Sequence, residues 1–174
     1  MSTATIQHEE QATWSKHWTL DPDASSVEFA VKSFWGLMTV RGRFDRFDGT
    51  YEVGPDGSSI ELTIDPDSID TGNATRDRHL RADDFFHVAE HPQIRFTSTR
   101  VHAVRDGILH VVGRLEAAGR VAELEFPAFS QTIEDGLVIE ATTTVDQAEV
   151  GMTGGPLGMI RRPTTLHIKA RLRS

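Results

Sequence analysis

Apolar and polar residues alternate with a period of two along much of the chain. In its first third, Val27, Phe29 and Val31 alternate with Glu28, Ala30 and Lys32, which is typical of a β-strand that buries one face. The alternation recurs over residues 40–44, 60–64, 94–98, 109–115, 122–126, 137–145 and 166–172. The pattern therefore predicts about eight short strands.

Tight turns separate several of these strands. Strong turn signals occur at Gly54-Pro55-Asp56-Gly57, Arg105-Asp106-Gly107, Ala118-Gly119 and Asp135-Gly136, where glycine and aspartate favour the backbone conformations of chain reversals. Short alternating strands joined by such turns predict an all-β fold, either an antiparallel barrel or a sandwich. The pattern alone leaves these two architectures open.

One segment, residues 73–86, is predicted to be a short helix of two to three turns. Asn73 and the neighbouring threonines offer side-chain oxygens to the free N–H groups of a helix start. We expect His91-Pro92 to end the helical segment, because a residue that precedes proline avoids the α conformation. The predicted contacts of the helix with the strands are Leu80, Phe85 and Phe86.

Composition and charge narrow the function classes. With 174 residues, of which 38% are hydrophobic and 25% charged, the chain suits one soluble domain with a substantial core. A net charge of −8 argues against binding to nucleic acid or to an anionic membrane surface, both of which need basic residues. The absence of cysteine excludes disulfides, thiolate metal sites and cysteine nucleophiles.

The N-terminal residues 1–16 are polar and are predicted to be a flexible arm. They lack the basic start and the apolar stretch of roughly 7–15 residues that form a secretory signal. The sequence also lacks the roughly 18 consecutive apolar residues of a membrane span. We therefore expect a cytoplasmic protein with no membrane span.

Several motifs together resemble those of the YceI-like family. The central ones are Arg76-Asp77-Arg78-His79-Leu80-Arg81-Ala82-Asp83-Asp84-Phe85-Phe86 and His91-Pro92-Gln93-Ile94-Arg95-Phe96-Thr97-Ser98-Thr99. Others follow in family order, at Trp18-Thr19-Leu20-Asp21-Pro22, Val27-Glu28-Phe29, Gly42-Arg43-Phe44, Asp70-Thr71 and Gly113-Arg114-Leu115. The chain departs from the family pattern at Ala24, where a histidine is usual, and at Asp146-Gln147, where Asp-Arg is frequent.

This resemblance implies a fold and a function. The expected fold is an eight-stranded antiparallel lipocalin-like β-barrel with one or two short helices, spanning residues 17–174. The expected function is the binding, storage or transport of a polyisoprenoid or similar long-chain lipid, without a cofactor and in a possible homodimer. The expected ligand contacts are the inner-row residues Phe29, Val31, Phe44, Leu62, Phe96, Val111, Leu124, Ile139 and Ile168, the helix residues Arg76, Leu80 and Phe85, and Met152 and Met159 of a glycine-rich loop.

The inner rows also fit three alternatives. Plain core packing explains the same apolar residues without a ligand, although Gly113 and Ala141 are expected to leave space between larger side chains. An isomerase, dehydratase or cyclase that acts on an apolar metabolite is a second alternative, and a filled barrel that serves in partner contacts is a third. The sequence shows no nucleophile elbow and no legible Ser, His and Asp arrangement, so catalysis has no support in it.

His79, His87 and His91, with two aspartates nearby, are candidate ligands for a metal ion. The spacing of His87 and His91 places both imidazoles on one face of a helix, but Pro92 argues against a helix there. The His-Glu-x-x-His pattern of zinc peptidases is also missing. The sequence therefore predicts no metal site.

Overall fold

The computed structural model describes residues 15–33, 38–150 and 163–174. Within these residues the chain forms strands and a single short α-helix, α1 (Ala74–Arg81), which confirms the all-β class. The strands are β1 (Lys16–Leu20), β2 (Ser26–Ser33), β3 (Met38–Phe44), β4 (Phe47–Gly54), β5 (Gly57–Ile64), β6 (Ile69–Asp70), β7 (Ile94–Arg105), β8 (Ile108–Ala117), β9 (Arg120–Ile133), β10 (Gly136–Asp146) and β11 (Pro163–Arg173).

Eight strands close into an antiparallel barrel, as expected. Their order is β1-β4-β5-β7-β8-β9-β10-β11, and β11 pairs back with β1. The remaining strands β2, β3 and β6 continue the sheet from the other part of β11. The eight strands of the ring are not the eight that the alternation predicts, because β1 and β4 were missed and β2 and β3 lie outside the ring.

Strands β1 and β2 share one edge of β11. β1 pairs with its last residues through Thr19↔Arg173 and Leu20↔Leu172, while β2 pairs with residues 164–169. Between β1 and β2 the chain makes a 3-10 turn at Pro22–Ala24. Arg173 forms an ion pair with Asp21 at 2.7 Å, and the Asp21 N–H donates to the carbonyl of Arg171 at 2.8 Å. The seam of the barrel, where β1 meets the end of β11, is therefore held by backbone pairing and by a side-chain ion pair.

Helix α1 begins where the sequence predicts but ends earlier. Asn73 caps it, because its Oδ1 accepts hydrogen bonds from the N–H groups of Thr75 and Arg76 at 3.1 and 3.0 Å. The helix ends at Arg81, since Ala82 is extended with ψ 172°. The expected end at His91-Pro92 is wrong, and Phe85 and Phe86 lie in turns beyond the helix. Among the described residues, no helix is long and apolar enough to cross a membrane.

A buried carboxylate ties the start of α1 to the strand before it. Asp77 is 7% exposed, and its Oδ1 accepts hydrogen bonds from the N–H group of Thr71, at 3.0 Å, and from the Thr71 hydroxyl. Its place on the first turn also puts negative charge at the positive end of the helix dipole. Asp77 therefore has a structural role at this corner of the barrel.

Replacing this carboxylate is expected to destabilise the fold. Asp77→Ala leaves the partly buried N–H of Thr71 without its charged acceptor, and we expect the free energy of unfolding to fall by about 1.5–3 kcal/mol. Asp84→Ala serves as the control, because Asp84 is exposed. Urea denaturation followed by circular dichroism measures both variants, and equal midpoints would contradict the structural role of Asp77.

Candidate ligand-binding cavity

The barrel encloses a cavity of about 190 Å³. Its wall is almost entirely apolar and is built from inner-facing residues of the barrel strands, from β2 and β3, and from the segment that contains α1. The wall is apolar because alternate side chains of a strand point to opposite faces of the sheet, so one row of each strand faces inward. Most of the inner row of β11 takes part, through Thr164, Leu166, Ile168, Ala170 and Leu172.

The lining of this cavity, or channel, extends along most of the barrel. From Thr164 to Leu172 the strand advances by eight residues, which is about 26 Å at about 3.3 Å per residue. With the tilt of roughly 40° that barrel strands have, this corresponds to about 20 Å along the barrel axis. A lining of that length suits a linear chain better than a compact ligand.

Most of the predicted contact residues lie on the wall of this channel. Ten of the fourteen line it: Phe29, Val31, Phe44, Leu62, Leu80, Phe85, Phe96, Leu124, Ile139 and Ile168. Val111 is fully buried but is not one of the lining residues. Met152 and Met159 lie outside the described residues.

Arg76 is placed away from the channel wall. Its Nε donates to the Thr71 hydroxyl oxygen and its Nη2 to the Thr71 carbonyl, both at 2.8 Å. Thr71 in turn donates its hydroxyl hydrogen to Asp77. The guanidinium of Arg76 therefore belongs to the hydrogen-bonded corner that fixes α1, and it does not line the cavity.

A small polar patch lies at the junction of β10 and β11. Gln147 lines the channel and its Nε2 donates to the hydroxyl oxygen of Thr164 at 3.1 Å, while Thr143 lies on the same wall. Among the described residues, no lysine, arginine or histidine lines the cavity. The sequence signal that marks this patch is Asp146-Gln147, which places a neutral amide at this point of the wall.

Two arginines of the barrel surface, Arg43 and Arg81, are paired with carboxylates. Arg43 contacts Asp45 at 2.7 Å and Asp70 at 2.8 Å, and its pKa is raised first by the hydrogen bond to Asp45 and then by the charges of both carboxylates. Arg81 contacts Asp67 at 3.1 Å. These contacts use the positive charges within the protein itself, away from the channel.

Sequence reasoning missed several residues of the wall. Tyr51 on β4 lines the channel and stacks on Trp18 of β1 with ring centroids 5.4 Å apart. Both strands were absent from the predicted set. Tyr51 and Val53 are two residues apart, with the polar Glu52 between them, and this spacing indicates a strand over residues 47–54. The pattern is short because Asp48 and Gly49 interrupt it.

The fold and the cavity together define a class of protein, namely closed antiparallel barrels with an apolar interior channel. A model of the YceI-like domain matches residues 18–172. The chain therefore belongs to the YceI-like family.

Relatives and solved structures agree with this assignment. The chain is 42% identical over 78 residues to the UPF0312 protein ECA1782 of Pectobacterium atrosepticum and 38% identical over 96 residues to the UPF0312 protein PA0423 of Pseudomonas aeruginosa. These matches cover 43% and 53% of this chain but 40% and 49% of the relatives, which is less than half of their length.

Two solved structures share the fold at low sequence identity. BcnA of Burkholderia cenocepacia has a TM-score of 0.79 at 17% identity, covering 89% of this chain and 99% of that one. A polyisoprenoid binding domain from Saccharophagus degradans, described as implicated in plant cell wall breakdown, has a TM-score of 0.70 at 17% identity, covering 88% and 97%. At this identity the likeness establishes the barrel architecture.

Proposed function

We propose that the protein binds a long-chain apolar ligand, a polyisoprenoid or a similar lipid, inside the barrel, and that it stores or transports it. The observation that carries this proposal is the long and apolar lining of the channel. Burying a hydrocarbon chain against such a wall is favourable by about 0.8 kcal/mol for each CH₂ group. The similar fold of the polyisoprenoid binding domain from Saccharophagus degradans supports the same ligand class.

The polar patch indicates the chemistry of the ligand's polar end. Gln147, Thr143 and Thr164 offer amide and hydroxyl groups, which bind a neutral oxygen by donating or accepting hydrogen bonds. An anionic end group requires a positive partner, because an unpaired charge is costly to bury. Among the described residues that line the channel, none carries a positive charge. The proposed ligand therefore ends in a neutral group such as a hydroxyl or a carbonyl.

The ten wall residues named above are the proposed contacts with the apolar chain. Their side chains enclose it on several sides, whereas Gln147 meets its polar end. The homodimer stays a prediction from the sequence.

Two measurements test the proposal. Organic extraction of the purified protein followed by mass spectrometry is expected to yield a chain lipid with a neutral end group. In vitro, the affinity for a series of prenyl or alkyl alcohols is expected to rise by about fourfold for each added CH₂ group, which corresponds to about 0.8 kcal/mol. The affinity is then expected to level off at the chain length that fills the channel.

The matched control is the carboxylate of the same chain length, which keeps the chain and changes the charge of the end group. We expect it to bind more weakly than the alcohol, because its charge has no partner on the described wall. Flat and weak affinity across the whole alcohol series would contradict the carrier function. Tighter binding of the carboxylate would contradict the neutral end group alone.

A further inference from the structure

A cluster of potential metal ligands lies in the segment between α1 and β7. One ligand atom each of His87, Glu90 and His91 lies within 4.8 Å of the others. The residues form the pattern His87-Val88-Ala89-Glu90-His91, which is the His-x-x-Glu-His spacing seen on helices of one class of zinc enzymes. The two imidazole rings have their centroids 5.6 Å apart and are nearly perpendicular, at 80°.

A single α-turn brings these side chains together. The N–H of His91 donates to the carbonyl of His87 at 2.8 Å, and the N–H of Glu90 donates to the same carbonyl at 3.1 Å. Pro92 restricts the residue before it and cannot continue a helix, but it does not prevent one turn that closes at His91. Residues 87–91 form this one turn and not the helix that Pro92 argues against, yet the turn is enough to bring the two imidazoles together.

Two backbone features hold the histidines in place. His87 has φ of +46°, a left-handed conformation that is uncommon for a residue other than glycine and costs free energy. Gly119, in the turn between β8 and β9, lies against the His91 ring so closely that a Cβ there would be 2.8 Å from its Cε1. The ring of His91 is thus fixed by a different part of the barrel.

A second carboxylate, that of Asp83, lies beside the cluster and contacts one of its histidines. Asp83 Oδ1 lies 3.4 Å from His87 Nε2, and Glu90 Oε1 lies 3.9 Å from the same atom. Two imidazoles with one or two carboxylates match the ligands that zinc and related first-row metals prefer. Calcium and magnesium favour sites made of oxygen ligands, and the imidazoles disfavour them here.

We propose that His87, Glu90 and His91, with Asp83 as a further ligand, bind a divalent first-row transition metal such as Zn²⁺. The metal cross-links the segment that follows α1. Phe85 and Phe86, which directly precede His87, lie on the channel wall, so the metal stiffens the segment that supplies this part of the wall. The metal site does not depend on the identity of the channel ligand.

Titration calorimetry of the full chain with Zn²⁺ tests the proposal. We expect one Zn²⁺ per chain and a rise in Tm on addition of Zn²⁺ that EDTA reverses. Loss of one ligand in His87→Ala, His91→Ala or Glu90→Gln is expected to raise Kd by more than about tenfold. Circular dichroism in EDTA verifies that each variant folds.

Two control variants separate this site from other histidines. His17→Ala removes an exposed histidine that contacts Glu52 at 2.9 Å, and His8→Ala removes a histidine of the N-terminal segment next to Glu9 and Glu10. Both are expected to keep the wild-type Kd. The proposal would be overturned if the wild-type chain did not bind Zn²⁺, or if all three site variants kept the wild-type Kd. Loss of binding in either control variant would overturn it as well. Should His91→Ala not fold, the exposed Glu90→Gln decides.

Discussion

Phe86→Ala is expected to lower the free energy of unfolding by about 3–5 kcal/mol. Phe86 is 9% exposed, and its ring meets that of Phe44 edge to face with centroids 5.7 Å apart. Its backbone is also fixed, because its N–H donates to the carbonyl of Leu80 at 3.0 Å. Truncation removes a large buried ring and leaves a cavity beside the channel. Urea denaturation with two-state analysis measures the loss.

The matched control is Phe129→Ala, which makes the same chemical change at an exposed position. Phe129 lies on the outer face of β9 and is 58% exposed, so we expect a loss below about 1 kcal/mol, from strand propensity and surface contacts. Phe85→Ala is expected to fall between the two, because Phe85 is half-buried. Equal losses in Phe86→Ala and Phe129→Ala would mean that the segment after α1 is not packed against the barrel as described.

Leu124→Arg is expected to abolish ligand binding. Leu124 is 6% exposed and lines the channel, so an arginine there places an unpaired charge on the apolar wall. The cost of burying that charge beside a hydrocarbon is at least about 4 kcal/mol, which corresponds to roughly a thousandfold loss in affinity. Displacement of a fluorescent lipid measures the affinity, and circular dichroism verifies the fold.

Val121→Arg is the control for this variant, because it makes an apolar-to-arginine change three residues earlier on β9 at a side chain that is 54% exposed. It is expected to bind as the wild type does. Ala141→Phe is a second test in case Leu124→Arg does not fold. It places an apolar ring in the channel, so we expect the affinity to level off at a shorter ligand chain. An unchanged plateau would show that the ligand does not enter the channel.

Local patterns in the sequence predicted the strands whose side chains alternate without interruption. In β8, Leu109, Val111 and Leu115 are all buried as expected, because strand periodicity maps directly onto the two faces of the sheet. The cap of α1 at Asn73 was equally accessible, since capping depends on neighbouring residues. β1 is short, and in β4 the apolar alternation is interrupted at Asp48 and Gly49, so both gain their strand conformation from partners far away in the chain.

The channel wall was harder to predict, because alternation does not distinguish a lining residue from a packed one. Val111 and Leu124 have the same pattern, yet Leu124 lines the channel and Val111 does not. Gly113 was expected to leave space. Instead, the ring of Phe96 occupies it, at 2.5 Å from where a Cβ would be. Such contacts depend on the register between β7 and β8, where Gly113 lies opposite Ser98, and no local pattern specifies that register.

The seam between β1 and β11 has a consequence for how the barrel forms. The ring closes when Thr19 and Leu20 pair with Arg173 and Leu172, residues that are separated by almost the whole described chain. Bringing such distant segments together is slow, because the loop entropy is lost before the contacts form. The hairpins from β7 to β11 join neighbours in sequence, so they can form while the ring is still open. The apolar inner face is then exposed to its surroundings until the seam closes, and a hydrophobic chain can be enclosed as the barrel folds.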